Sequence, residues 1–197
     1  MNVWIDLGAW KGTSTQFFLD YYPNSESFKC LLIEPDANIC RKYLNGSFNQ
    51  NDVSVLNAAA WKYDGVRDLY VGKHGRGSSL YPNKTTGKLC KEPITVPCID
   101  LQRIICIFNV NDNIVMKMNI EGAEYDLLPY LHNTGCMKYI KKLYVSWHWN
   151  KIGVSKERHD ALVLQTAVDT DLHNWYLQEN QEGIATIEDN LWFKDTI

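Results

Sequence analysis

Lys117, Asn119 and Glu121 recur at every second residue towards the end of an apolar run, Ile114-Val115-Met116-Lys117-Met118-Asn119-Ile120. In extended chain such residues share one face, so an ammonium, a carboxamide and a carboxylate would project together where the strand ends. A lysine inside an apolar strand is costly unless paired, and Glu121 or Glu124 lies close enough in sequence to pair it. The set therefore reads either as a reacting centre or as a structural ion pair locking the strand to the next helix. His148, near the end of a second apolar run from Leu143 to Trp149, adds a candidate neutral base, with a hydrogen-bonded structural histidine as the alternative. Asn119, Glu121 and His148 together offer oxygen and imidazole ligands suited to a divalent ion such as Mg or Mn.

A second constellation lies near the start, in Val3-Trp4-Ile5-Asp6-Leu7-Gly8-Ala9-Trp10-Lys11-Gly12-Thr13. An apolar strand ends in an acid, Gly8 and Gly12 permit a sharp turn with close approach to a ligand, and a helix follows. Thr13, Ser14 and Thr15 are candidate N-caps, and the amides of that helix start attract a carboxylate or phosphate. Trp10 stands where a dinucleotide fingerprint needs its second glycine, and there is no P-loop pattern. Glycines used only for packing a strand–turn–helix joint are the competing reading. Glu34 closes the next strand about 20 residues beyond the glycine turn, where ribose hydroxyls are gripped in doubly wound nucleotide folds, or it is a solvated loop carboxylate. Asn57 and Ala58 follow a third strand and suit a flat ring with a hydrogen-bonding edge.

These residues need an alternating frame to hold them. Strands are expected at Val3–Leu7, Phe28–Ile33, Val53–Leu56, Ile114–Ile120 and Leu143–Trp149, with helices after Thr13, over Ala37–Leu44, over Cys98–Phe108, after Glu121 and from Ser155 to Val168. The last helix should bury Ala161, Leu164, Gln165 and Val168. Short strands at Arg67–Val71 and Ile94–Val96 flank a basic, glycine-containing segment within 64–97, which reads as a lid over a polar substrate or as a solvated face. Trp175–Gln178 and Leu191–Lys194 suggest a closing hairpin.

With 197 residues, 45% of them hydrophobic, and a net charge of −3, the chain suits one domain with a sizeable core. Disorder and a strongly nucleic-acid-binding surface are not indicated, and no apolar run reaches membrane-spanning length. No signal peptide precedes Asp6, so a cytoplasmic protein is expected. The six cysteines form no Cys-x-x-Cys pair and read as buried thiols, and the histidines at 74, 132, 159 and 173 read as surface residues.

Lys117-Met118-Asn119-Ile120-Glu121-Gly122-Ala123-Glu124 resembles the Lys-x-Asp-x-Glu-Gly-x-Glu signature of the FkbM family of S-adenosylmethionine-dependent O-methyltransferases. Asp6-Leu7-Gly8-Ala9 with Gly12, Glu34-Pro35, Asn57-Ala58-Ala59, Gly77-Ser78-Ser79-Leu80 and Ile99-Asp100-Leu101 fall in that family's order, so the resemblance spans nearly the whole chain. Asn119 departs from the family's aspartate, and no helices precede the first strand, which implies a minimal enzyme or one cut from a longer chain.

The resemblance implies an α/β, Rossmann-like class I methyltransferase with a seven-stranded, mostly parallel sheet, helices on both faces and an antiparallel last strand. It implies S-adenosyl-L-methionine as cofactor, with Asp6, Gly8, Ala9, Gly12 and Thr13 at its amino-acid part, Glu34 at the ribose, and Asn57 and Ala58 at the adenine. The acceptor would be a sugar or glycan hydroxyl, a deoxyhexose such as rhamnose or fucose among the choices. Ser78 and Ser79 would line its site, with Trp147 and Trp149 stacked on a sugar face. An alcohol needs a base or a metal to take its proton, which is the work expected of His148, Glu121, Asn119 or Lys117. Methylation of RNA ribose, suggested by the basic loop, and a non-catalytic cofactor-binding module, suggested by Asn119, stand as alternatives.

Overall fold

A computed structural model describes residues 1–48 and 52–175. Its frame is a six-stranded sheet in the order β3-β2-β1-β7-β8-β9. The strands are β1 (Asn2–Leu7), β2 (Phe28–Ile33), β3 (Val53–Leu56), β7 (Asn113–Met118), β8 (Ile140–Val145) and β9 (Asp171–Asn174), and every pairing among them is parallel. A smaller sheet, β4-β6-β5, joins β4 (Ala59–Trp61), β6 (Ile94–Asp100) and β5 (Gly65–Leu69).

Both faces of the large sheet are covered, which is why its central strands are apolar on both sides. Val3, Ile5 and Leu7 point into one core with Leu101 and Ile105 of α3 (Leu101–Ile105), Leu127 and Leu131 of α4 (Glu124–Asn133) and Leu162 of α5 (Lys156–Asp169). Trp4 points the other way, stacked on Phe18 of α1 (Thr13–Tyr21), with Leu32, Cys40 and Leu44 closing that layer. Ala37–Leu44 is helical as expected, although only Ala37–Ile39, α2, is an α-helix; a wider π turn follows over Cys40–Leu44.

Several expectations need correcting. The described sheet has six strands rather than seven, β9 runs parallel to β8, and the expected antiparallel last strand falls on residues outside those described. Of the anticipated closing hairpin, Trp175 is outside any strand, and 176–178 and 191–194 lie outside the described residues. Cys98 to Asp100 is strand, not helix, because Cys98 and Ile99 pair with Ala59 and Ala60, and the Asp100 side chain then caps α3 by accepting from the Gln102 amide at 2.9 Å. Gly12 at φ +79 is the N-cap of α1, so Thr13, Ser14 and Thr15 do not cap it. Four cysteines are buried thiols, while Cys90 and Cys106 are exposed.

Helix α5 begins as expected, with Ser155 accepting from the Arg158 amide, but it rolls its other face inward. Leu162 and Thr166 are buried, whereas Leu164 and Val168 are 69% and 85% exposed. Because Val168 contacts so little, Val168→Lys is expected to change unfolding free energy by no more than about 0.5 kcal/mol in urea titration. A loss above ~2 kcal/mol would mean that this face is covered.

Candidate functional site

The strand order reverses at β1, whose neighbours β2 and β7 are reached by connections running in opposite directions. In parallel α/β sheets this switch point opens a crevice at the carboxyl ends of the strands, and ligands bind there. A cleft of about 1030 Å³, counted to its open mouth, lies at that place, lined by Gly8, Ala9, Trp10, Thr13, Ser14, Glu34, Asn119, Ile120 and Glu121 among others.

The turn after β1 is closely built. Gly8, at φ +73, donates its amide to the Ile33 carbonyl at 2.9 Å, and a Cβ on it would stand 2.1 Å from the Asn119 carbonyl oxygen. The β1 turn and the end of β7 therefore touch through bare backbone. Gly12 serves packing instead: its Cβ would strike the Phe48 ring at 2.7 Å, and it does not line the cleft.

Glu34 lies in the cleft wall at the end of β2, 7% exposed. Its Oε2 accepts from the Trp10 amide at 2.9 Å and its Oε1 from the Asp36 amide at 3.0 Å. Burial pushes the carboxyl up to about 7, against the lowering effect of those two amides and of Lys117. Asn57 does not reach the cleft; its Nδ2 donates to the carbonyls of Glu34 and Pro35, both at 2.9 Å, and so holds the β2 turn in place. Ala58 is buried outside the lining, and Ala59 and Ala60 provide the small-residue wall one and two positions later.

Lys117 pairs with neither glutamate. It is the register partner of Asp6 on β1, and its Nζ donates to Asp6 Oδ1 at 2.9 Å and to the Gly8 carbonyl at 2.9 Å. Thr15 donates to Asp6 Oδ2 at 2.9 Å and accepts from Trp4 Nε1. Asp6, expected at the cofactor, is fully buried and outside the cleft lining, and it is tied to the glycine turn through Lys117.

Lys117, Asn119 and Glu121 do not share an extended face, because β7 ends at Met118. The Glu124 carboxylate takes the Ile120 amide at 3.0 Å and the Gly122 amide at 2.8 Å, turning the chain and leaving Glu121 at φ +55. That left-handed conformation costs a non-glycine residue roughly 1–2 kcal/mol. Asn119 lines the cleft, and its buried Oδ1 has no hydrogen-bond partner among the described residues.

His148 is buried, with Nδ1 3.0 Å from Glu124 Oε1 and Nε2 3.3 Å from Glu121 Oε2. The ring thus lies between two carboxylates, and His148 is not part of the cleft lining. Glu121 does line it. Lys84, which no local pattern singles out from its basic loop, donates to Glu121 Oε2 at 2.7 Å. Burial pushes the Glu121 carboxyl up, but His148 and then Lys84 outweigh it and leave it below the usual glutamate value.

This arrangement bears on the metal expectation. Among the described residues no group of three or more His, Cys, Asp or Glu side chains is disposed to hold an ion. A dication at Glu121 would also stand against the Lys84 ammonium already held by that carboxylate. Ser78 lines the cleft, whereas Ser79 is buried behind it and donates to the Glu121 carbonyl at 2.7 Å. Trp147 and Trp149 lie outside the lining, packed on His159 with ring centroids 5.2 and 5.6 Å away. His132 is also no free surface group: its Nδ1 meets Asp169 at 2.8 Å and its Nε2 meets the Thr166 hydroxyl at 3.2 Å.

No helix among the described residues is long and apolar enough to cross a membrane. Comparison with models of protein families, with curated proteins and with solved structures found no match to the chain.

Proposed function

We propose that the chain is an S-adenosylmethionine-dependent O-methyltransferase of the class I, FkbM-like type, acting on a sugar hydroxyl of a glycan or glycosylated metabolite. The observation that carries this reading is the cleft at the β1/β7 switch point. A glycine turn that admits no Cβ and a buried acid at the end of β2 stand in its walls. Acid and turn sit where a ribose and the adjoining part of a nucleoside ligand would be held. The buried Asn119 Oδ1, unpartnered among the described residues, fits a ligand that brings a donor, since an unmatched buried carbonyl otherwise costs about 1–3 kcal/mol. The sugar acceptor rests on the sequence resemblance.

When bound, the cofactor supplies a sulfonium methyl group whose transfer breaks one S–C bond and forms one O–C bond. The residues of the chain then have three tasks. Gly8, Ala9 and Glu34 hold and orient, so that the reacting atoms lie in line. Gly75 to Ser78 and Leu80 roof the cleft and exclude water. Glu121 takes the hydroxyl proton at Oε1, the oxygen that neither Lys84 nor His148 occupies. The basic loop favours RNA less than its sequence suggests, because Lys84 spends its charge inside the protein.

Glu34 provides the test. Its carboxyl titrates near 7, and only the ionised form gives ribose hydroxyls a charged acceptor, so binding should strengthen as pH rises through 7. Calorimetry with S-adenosylhomocysteine is expected to show affinity rising about tenfold from pH 6 to pH 8. In Glu34→Gln the dependence should flatten and affinity at pH 8 should fall. Absence of binding at any pH in this range would reject the methyltransferase reading, and a pH-independent affinity would remove Glu34 from it.

A further inference from the structure

Lys84 comes from a polar loop between β5 and β6, yet its side chain is 1% exposed. Its Nζ donates to the Gly77 carbonyl at 2.6 Å and to Glu121 Oε2 at 2.7 Å. Two glycines shape the space around this ammonium. A Cβ on Gly77 would stand 3.1 Å from Nζ and one on Gly87 3.2 Å, and both glycines have positive φ, +71 and +95. A buried ammonium is expensive unless well paired, and here the loop backbone is folded around it.

Glu121 is held as firmly from its own side. Its backbone sits at φ +55, its carbonyl accepts from Ser79, and His148 faces its Oε2. The loop is tied on further by Lys73 N to Gly87 O at 3.1 Å, Cys90 N to Val71 O at 2.9 Å and Thr85 N to Lys151 O at 2.8 Å. Strain, paired glycines and a buried cation therefore converge on one carboxylate oxygen at the cleft wall.

We propose that Lys84 is a positioning residue, an internal counter-ion that clamps the Gly75–Ser78 roof and the Glu121 carboxylate into one unit. Through Gly77 the ammonium holds the roof over the cleft, and through Oε2 it turns Oε1 towards the acceptor. Closing the site and aiming its proton acceptor are thus one event. The part concerning the acceptor rests on the methyltransferase reading; the clamp itself does not.

Hydrogen exchange, read by mass spectrometry on the peptides covering 72–91, tests the clamp without any ligand. Lys84→Met keeps the length and apolar stem of the side chain, and its loop amides are expected to exchange about tenfold faster or more while the β1 and β7 peptides stay protected. Glu121→Gln should release the same amides, and the double variant should add little to either, since both remove one interaction. Unchanged loop exchange in both single variants, or fully additive effects, would overturn the proposal. Should Lys84→Met not fold, Glu121→Gln reads the same pair from its other end. Two further readouts separate this claim from the functional reading. Lys84→Met should bind S-adenosylhomocysteine within about threefold of the parent protein, and methyl transfer should lose kcat rather than KM for the cofactor. If the parent binds no S-adenosylhomocysteine while the loop amides respond as stated, the methyltransferase reading fails and the clamp stands. A Lys84→Met protein that transfers methyl groups with unchanged kcat would reduce Lys84 to a structural lysine and overturn the proposal.

Discussion

Glu121→Gln should lower methyl transfer by ~10²–10⁴-fold, the range for loss of a general base, while S-adenosylhomocysteine affinity stays within a few-fold. That loss corresponds to about 2.7–5.5 kcal/mol of transition-state stabilisation. A carboxylate held below the ordinary glutamate value is a weak base for a neutral alcohol. The demand changes along the reaction, because the acceptor oxygen becomes positive as the new C–O bond forms and its proton becomes strongly acidic. A weak but correctly aimed base then suffices, and keeping it ionised matters more than making it strong. His148→Ala should cost less than Glu121→Gln, since it removes a group that orients Glu121 and leaves the acceptor of the proton in place. With Lys84 supplying the cation, EDTA should leave turnover unchanged. Full activity in Glu121→Gln, measured by transfer of a labelled methyl group to the acceptor, would return the search to Asn119.

The frame of this site was legible because buried parallel strands need unbroken apolar runs. Phe28–Ile33 and Val53–Leu56 occur at the expected residues. Boundaries failed where side chains and pairing overrode the pattern. The run from Cys98 looks helical by composition, but Cys98 and Ile99 are paired with β4, a strand of three residues too short to see in advance. In α5 the expected stripe gave way to Leu162 and Thr166, because Tyr125 and His132 bond to the helix and Thr170 at its end bonds to Ile140 of β8, and these ties outweigh its own weak amphipathicity.

The site divides in the same way. Gly8 and Glu34 could be found from local spacing, since each sits at the end of a strand the sequence marks plainly. Asp6, Asn57 and His148 are near the site but serve it from behind, and nothing local separates a residue that touches a ligand from one that holds its neighbour. Lys84 and the Asp6–Lys117 pair depend on chain segments 37 and 111 residues apart, and only the fold brings these charges together. A lysine's partner in a parallel sheet is set by strand order, so the nearest acid in sequence was a poor guide to it.

That pair carries the last expected result. Lys117 is 1% exposed and Asp6 is fully buried, and among the described residues only Thr15 and Lys117 donate to the carboxylate. Lys117→Met fills the same space without the charge and leaves Asp6 as a buried anion with one hydroxyl donor. Breaking a buried pair from one side typically costs 3–5 kcal/mol, and for a chain of this length that lowers Tm by on the order of 10 °C. Replacing both residues with apolar ones, Asp6→Leu with Lys117→Met, should recover much of the loss, because no charge is then stranded. Cofactor binding should not recover with it. Lys117 also holds the Gly8 carbonyl at 2.9 Å and lowers the Glu34 carboxyl. In its absence Glu34 titrates higher, and the glycine turn loses its anchor to β7. Thermal melts and calorimetry on the two variants should therefore part company, with stability returning in the double variant and S-adenosylhomocysteine affinity staying weak. A Lys117→Met protein as stable as the parent would show that the pair is not what fixes the crevice between β1 and β7.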